Sequence, residues 1–524
     1  MNKLLKLSLV IIALGFSACT DLDLEPRSSS TADILFQDES NYIRFLAKIY
    51  AGLAVTGQEG PAGRADISSL DEGFSNYLRQ YWQFQELTTD EAVIGWGDEG
   101  LPDLHAHSWT SANQFVNAMY YRIFFQVSMA NEFLRETAAD KLDSRGVSAA
   151  GKAAVQTYRA EARFLRALSL WHGMDLFGDI PFYTENDPIG SNPPTQASRA
   201  EVFNFIESEL AAIEADLPGP KQNEYGRVDK AALWMLQAKL YLNAEVYSGT
   251  AKWNEALAAS QKVIQSGAYS LQENYDDLFK ADNHLSPEVI FPIPFDGLST
   301  QTWGGMTYLA HAPVGGTMDP AEYGIDGGWF GLRTTSVLVD KFPDETGAID
   351  ERALFHTDGQ SKTITSISNF SDGYAIGKYK NITSAGEPGQ NLTHTDIDYP
   401  MFRLADAYLM YAEATLRDGA GGSKTQAVNY INELRARAYN STNGNITESQ
   451  LTLDFVLNER ARELYWEAHR RQDLIRYNQF TENGVWPWKG GVAAGKTTES
   501  FRNLLPIPFN ELLANPNLTQ NQGY

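Results

Sequence analysis

The sequence predicts a mainly α-helical fold, a scaffold of degenerate helical hairpins carrying an irregular, loop-rich lobe. Three observations lead there. Long segments repeat apolar residues at helical spacing, and these segments come in pairs joined by short turns. Two long stretches between them are rich in Gly, Pro, Ser, Thr and Asp and hold no sustained period.

Gln156 to Met174 contains no proline and sets Tyr158, Ala162, Leu165 and Leu168 on one face. Lys230 to Val246 repeats the pattern with Trp234, Ala238 and Tyr241. This Trp-x3-Ala-x2-Tyr order is the one tetratricopeptide (TPR) repeats use to nest small residues against aromatic ones. Ala251 to Ile264 follows across a Ser-Gly-Thr turn. Met401 to Leu416 presents Leu404, Tyr408 and Tyr411, and Gln426 to Ala438 presents Val428, Ile431 and Leu434. Thr452 to Arg471 reads as one long, charged, glycine-free helix. The expected pairs are about 35–55 with 110–138, 150–175 with 198–216, 228–247 with 252–266, and 401–417 with 424–438. Their irregular spacing predicts TPR-like hairpins and not a regular solenoid. Residues 56–109 and 280–400 are too long for simple connections and are expected to form one ligand-bearing lobe.

Composition narrows the function. The chain has 524 residues, 43% of them hydrophobic, enough for a large core. Its 42 Lys+Arg against 66 Asp+Glu leave a net charge of -24, which repels phosphate backbones and argues against a nucleic-acid partner. The single cysteine, Cys19, excludes an intrachain disulfide and a Cys-based zinc site. It follows a basic start (Lys3, Lys6), an apolar run from Leu7 to Phe16 too short to span a bilayer, and the small pair Ser17-Ala18. Residues 1–18 therefore read as a secretory signal whose end resembles the bacterial lipoprotein cleavage box, with Phe16 where that box usually has Leu. Cys19 is then the lipid-bearing first residue of a single domain, 19–524, anchored by acyl chains at about 0.8 kcal/mol per buried CH2.

Several motifs lack the context their chemistry needs. Gly490 to Thr497 satisfies the P-loop string, but Val485-Trp-Pro-Trp cannot be a central strand, and the prolines of Ser500 to Pro508 leave no room for the helix that would face phosphate. His105-x-His107 is the one close histidine pair; in an extended segment the two would share a face, yet no third ligand lies nearby. No Gly-x-Ser-x-Gly occurs, and neither a metal nor a cofactor is expected. The expectation is a binding protein and not an enzyme. A carboxylate pair of the glycoside-hydrolase kind is the enzymatic alternative.

Tryptophan placement is the informative feature. Trp171, Trp234 and Trp466 fall in helical patterns and are expected in the core. Trp96 (Gly-Trp-Gly-Asp), Trp303 (Thr-Trp-Gly-Gly) and Trp329 (Gly-Gly-Trp-Phe-Gly) sit beside glycines in the irregular lobe. An indole left uncrowded on a loop offers a flat, rigid face on which the C–H side of a sugar ring stacks. The competing reading is that the three fill gaps in a loop-rich core.

A set of longer strings resembles the SusD/RagB family of outer-membrane nutrient-binding lipoproteins. They are Arg159-Ala-Glu-Ala-Arg-Phe-Leu-Arg-Ala-Leu, Asp175-Leu-Phe-Gly-Asp-Ile-Pro-Phe, Gly226-Arg-Val-Asp-Lys-Ala-Ala, Phe402-Arg-Leu-Ala-Asp-Ala-Tyr-Leu, Glu459-Arg-Ala-Arg-Glu-Leu, Pro506-Ile-Pro and Asn515 to Tyr524. The resemblance covers essentially the whole mature chain. It implies a TPR-bearing α-helical fold, a lipid-anchored place on the surface of the outer membrane, and a TonB-dependent SusC-like transporter as partner. Asp71-Glu-Gly, Glu86-Leu-Thr-Thr-Asp-Glu, Gly95-Trp-Gly-Asp, Trp303-Gly-Gly-Met-Thr-Tyr-Leu and Gly328-Trp-Phe resemble the binding segments of the family's starch-binding member. The resemblance implies that Trp96, Trp303 and Trp329 cradle an α-glucan (starch or maltooligosaccharide) while Arg79 and Asp71 bond its hydroxyls. Trp303 stands where the starch binder has tyrosine, and Glu99 where it uses an asparagine amide. The alternative is the same fold binding another polysaccharide or a peptide.

Overall fold

Helices form the frame in the computed structural model, which describes residues 32–61, 65–68, 70–188, 190 and 192–524. The expected signal and the lipid-bearing Cys19 lie outside the described residues. The main helices are α1 (Ser40–Ala54), α2 (Tyr77–Glu86), α3 (Gln114–Glu136), α4 (Ala149–Phe177), α5 (Arg199–Ile213), α6 (Lys230–Leu242) and α7 (Trp253–Gln265). After the lobe come α9 (Leu404–Leu416), α10 (Lys424–Ala438), α11 (Leu453–Leu464) and α12 (Arg470–Arg476); α8 (Gly305–His311) lies within the lobe. The mainly α fold expected from the periodicity is the observed one.

Local chemistry sets where the helices start. The Asp229 carboxylate accepts from the Ala231 and Ala232 N–H groups at 2.8 and 3.0 Å, capping α6. Ser198 and Glu201 form a reciprocal capping box at α5. Buried Ala231, Ala232 and Ala238 let α6 lie close against α7, which buries Ala256, Leu257 and Ala259. In the same way α3 packs on α4, α4 on α5, α7 on α9, and α9 on α10 and α11. Trp171 and Trp466 are buried as expected, whereas Trp234 is half-buried with its indole N–H donating to Glu214 at 2.8 Å.

Four local expectations are corrected. Thr452 to Arg471 is two helices, because the chain turns between them with Trp466 and Ala468 at φ 62° and 61°. Trp466 is pulled inward, where its indole N–H donates to the Glu91 carbonyl at 3.2 Å and its own carbonyl accepts from Trp82 Nε1 at 2.8 Å. Residues 399–403 are a strand, so the helix read from Met401 begins at Leu404. Residues 56–109 are not all irregular: α2 is a ten-residue helix, buried throughout although five of its residues are polar. His105 and His107 do not lie on an extended segment. His105 is in the last turn of a short helix, and His107 is buried between the Thr88 carbonyl (2.7 Å) and Thr498 Oγ1 (3.1 Å). Among the described residues no group of His, Cys, Asp or Glu is poised to hold a metal ion, and no helix is long and apolar enough to cross a membrane.

Short antiparallel pairs assemble the lobe, and two of them join distant parts of the chain. β1 (Val93–Ile94) joins β3 (Leu332–Arg333), with Val93 opposite Arg333, so distant parts of the chain share one edge. β2 (Val289–Ile293) joins β4 (Tyr399–Arg403), and both are buried throughout.

A buried ionic network ties the lobe to the helices. Arg403, at the end of β4, reaches Glu288 at 2.8 Å, Glu463 at 2.7 Å and Glu467 at 2.6 Å. Arg352 of the lobe reaches Asp350, Glu459 and Glu463 at 2.7, 2.8 and 3.0 Å. Arg437 of α10 also pairs with Glu463. Burial alone would raise the Glu463 carboxyl, but Arg437, Arg403 and Arg352 outweigh it and hold the group at about 2.

Removing Glu463 takes one carboxylate partner from each of Arg352, Arg403 and Arg437 inside the buried network, so Glu463→Ala is expected to destabilise the protein by about 3–5 kcal/mol in urea unfolding. Because the folded-state value lies below the ordinary 4.5, the stability from Glu463 is complete above that pH and is lost as the pH falls towards about 2. Urea midpoints taken down that range should fall in the wild type and less steeply in Glu463→Gln; equal slopes would exclude Glu463 as a main source of acid sensitivity.

Candidate functional site

The site is built where three separated segments meet beside α2. Asn76 caps α2, its Oδ1 accepting from the N–H groups of Arg79 and Gly305 at 3.0 Å each. Its Nδ2 donates to the Ala54 carbonyl at 2.7 Å. At position 304 any side chain would bring a Cβ to 2.2 Å from Asn76 Cβ, so the close approach requires glycine. Glu72 fixes the next residue: its carboxylate accepts from Thr302 Oγ1 and from the Trp303 N–H, both at 2.8 Å.

Trp329 is held from below by His311, the last residue of α8. The Trp329 N–H donates to the His311 carbonyl at 2.9 Å, and the indole stacks on the imidazole with centroids 4.8 Å apart and planes at 23°. The imidazole Nδ1 lies 2.6 Å from the Gly327 carbonyl and Nε2 lies 2.9 Å from that of Thr393, so the ring sits between two loops, its one N–H in the neutral form donating to one of the two carbonyls. Burial lowers the pKa of His311 and of His394. Trp96 in turn depends on Trp329, because its indole N–H donates to the Trp329 carbonyl at 3.1 Å.

The three indoles form a continuous series. Trp303 and Trp329 are 6.4 Å apart at 47°, and Trp329 and Trp96 are 6.2 Å apart at 44°. Successive planes turn by similar angles, so the faces do not make a flat wall. Trp303 is 40% exposed and packs against His394 at 5.0 Å, while Trp96 and Trp329 are half-buried.

Arg79 lies beneath this series, only 3% exposed. Its guanidinium carbon sits 4.2 Å over Tyr308, 4.7 Å over Phe74 and 5.9 Å over Trp96. Burial draws its pKa down, opposed by Tyr308, Asp71 and Asp98. Nε and Nη2 have no hydrogen-bond partner among the described residues, so a buried cation keeps N–H groups for an oxygen acceptor.

Contacts among the described residues therefore bring Trp96, Trp303, Trp329 and Arg79 together. Asp71 is exposed nearby, its carboxylate accepting from the Phe74 N–H at 3.2 Å and its charge acting on Arg79. Glu99 is exposed on the turn before a short helix (Pro102–Ala106), its carbonyl receiving Gln114 Nε2 at 2.6 Å, and it joins none of the ring contacts. Sequence reasoning missed Phe74, Tyr308, His311 and His394. Tyr308 lay within a quoted string, but nothing distinguishes an aromatic beneath a site from one in a core. A cleft of about 1230 Å³ between α3 and residues 181–195 is a separate feature, lined by none of the six expected residues.

The comparisons with known proteins agree over most of the chain. The SusD family model matches residues 351–524. The sequence is 36% identical to the starch-binding protein SusD of Bacteroides thetaiotaomicron, over 98% of this chain and 97% of that protein. It is 24% identical to SusD-like protein P25 of Formosa agariphila over 97% of each. The fold is similar to that of surface glycan-binding protein A from Bacteroides thetaiotaomicron, solved in complex with laminarihexaose. That match has a TM-score of 0.70 and 20% identity and covers 92% of this chain and 99% of the other. By its extended identity to SusD, the chain belongs to the SusD family.

Proposed function

We propose that the protein captures α-glucan, as starch or maltooligosaccharide, at the cell surface by stacking sugar rings on Trp96, Trp303 and Trp329. It then delivers the chain to a TonB-dependent SusC-like transporter in the outer membrane. The observation that carries this reading is the turning series of three indoles above a buried Arg79 with free N–H groups. Indole faces take the C–H side of glucose, and the guanidinium takes hydroxyl oxygens. Asp71 and Glu99 supply carboxylate acceptors at the edge. The identity to a starch-binding relative supports α-glucan as the substrate class.

The action is binding without a chemical step. Each stack contributes about 1 kcal/mol, so affinity for one chain is expected between about micromolar and millimolar. A lipid on Cys19 would hold the site at the membrane, where effective concentration offsets weak affinity.

Calorimetric titration of residues 20–524 with a linear α-1,4-glucan should show binding that each single Trp→Ala change weakens about fivefold. The triple change at Trp96, Trp303 and Trp329 should abolish it. Absence of α-glucan binding, with uptake of another polysaccharide or a peptide in a broad screen, would sink the starch assignment. Release of new reducing ends would sink the binding-only mechanism.

His311→Ala is expected to weaken the same binding by about threefold to tenfold, since it removes the ring on which Trp329 rests. The near-ultraviolet dichroism of the indoles should change with it. Unchanged affinity and dichroism would show that Trp329 needs no such support.

A further inference from the structure

Trp329 is followed by a second aromatic residue that the binding arc does not use. Phe330 has φ 55°, in the left-handed region that a bulky side chain avoids. Its ring is 54% exposed, so burial does not explain the strain. Strained backbone of this kind persists where surrounding structure enforces it, and it clusters at ligand-binding loops.

The enforcement is visible. The Phe330 N–H donates to the Val314 carbonyl at 3.1 Å, and the Gly331 N–H to the Ala312 carbonyl at 2.8 Å. A Cβ at position 315 would come within 2.5 Å of the Phe330 ring, and one at position 331 within 2.5 Å of the Trp96 ring. Gly315 and Gly331 are thus beds for the rings of Phe330 and Trp96 respectively. Phe330 also meets Phe370, with centroids 5.5 Å apart at 66°. Phe370 belongs to a loop held by buried Arg333, whose Nη1 donates to the Asp372 carbonyl at 2.7 Å and whose guanidinium lies 5.8 Å over the Phe370 ring. An exposed phenyl ring on fixed backbone therefore stands next in the chain to Trp329 and one residue before the glycine against which Trp96 lies.

We propose that Phe330, backed by Phe370, is a further stacking platform on which a long glycan lays a sugar ring beyond those held by the three indoles. The inference rests on the glycan reading of the arc. A short oligosaccharide fills the indoles alone, and a longer one reaches the phenyl ring, so Phe330 sets a preference for chain length.

Two variants test this. Phe330→Gly removes the ring and relieves the positive φ, whereas Phe330→Ala removes the ring and keeps the strain. Each is titrated beside the wild type with α-1,4-glucans of three and seven units and with β-1,3-glucans of three and six units. Both variants should bind the three-unit sugar as the wild type does and bind the longer one about fivefold more weakly. The thermal midpoint of Phe330→Gly should equal or exceed that of the wild type. Unchanged affinity for the longer sugar overturns the inference, including the case where only association with the transporter weakens. Equal losses at both lengths with a lowered midpoint also overturn it, assigning the ring a structural role. Wild-type binding of the β-1,3 series alone overturns the α-glucan assignment and leaves the length test to be read on that series. Binding of neither series overturns both.

Discussion

Glu463 is the point on which the fold turns. A carboxylate this deeply buried is tolerable only if its charge is met, and Arg352, Arg403 and Arg437 meet it from the lobe, from β4 and from α10. One side chain therefore fixes α11 against three parts of the chain far apart in sequence. The neighbouring turn gains from this. Glu467 is held by Arg403 and Lys378, and between these residues Trp466 is driven inward onto Trp82 at 5.5 Å. Trp82 lies on α2 and touches Tyr308 at 5.9 Å, and Tyr308 is the ring on which Arg79 rests. The binding face thus stands on a chain of contacts that begins at an ionic network. Such networks are weak sources of net stability, but their geometry is exacting, which suits them to fixing the register of a lobe with little regular structure of its own.

What the sequence revealed followed from which physical signals survive folding. The long helices were legible because they run for three or more turns without proline and repeat apolar residues at helical spacing. Helix α2 is short, half of its residues are polar, and it lies inside a stretch rich in Gly, Ser and Asp that reads as irregular. The break between α11 and α12 was hidden because Tyr465 to His469 contains neither glycine nor proline; tertiary contacts of Trp466 impose positive φ on residues that would otherwise continue a helix. Strand β4 was read as the start of α9, since Tyr399 to Arg403 is uniformly apolar up to its arginine and five residues are too few for period 2 to show.

The site was legible in part for a different reason. Glycines beside Trp96, Trp303 and Trp329 signalled backbone freedom around large rings, and the structure shows what that freedom does. Gly304 lets the Trp303 segment press against Asn76, and Gly331 gives Trp96 its bed. The supporting layer was not legible. Tyr308 and His311 belong to a short helix and are fully buried, so in sequence they look like core residues. Glu99, expected from a resemblance of position, lies on an exposed turn outside the ring contacts.

The arrangement of supports explains how weak contacts can make a usable site. Stacking on an indole yields little, and a ring that had to be ordered on binding would lose much of it to entropy. Here each ring is ordered beforehand by a different device: Glu72 holds the backbone at Trp303, His311 holds both backbone and ring of Trp329, and the Trp329 carbonyl holds Trp96. Trp303 has its own backbone anchor, Trp329 leans on His311, and Trp96 is held both by the Trp329 carbonyl and by the Tyr308 ring at 6.0 Å. Trp329 is therefore the shared neighbour of the series, touching Trp303 on one side and Trp96 on the other, so the three rings are ordered as one set before any ligand arrives.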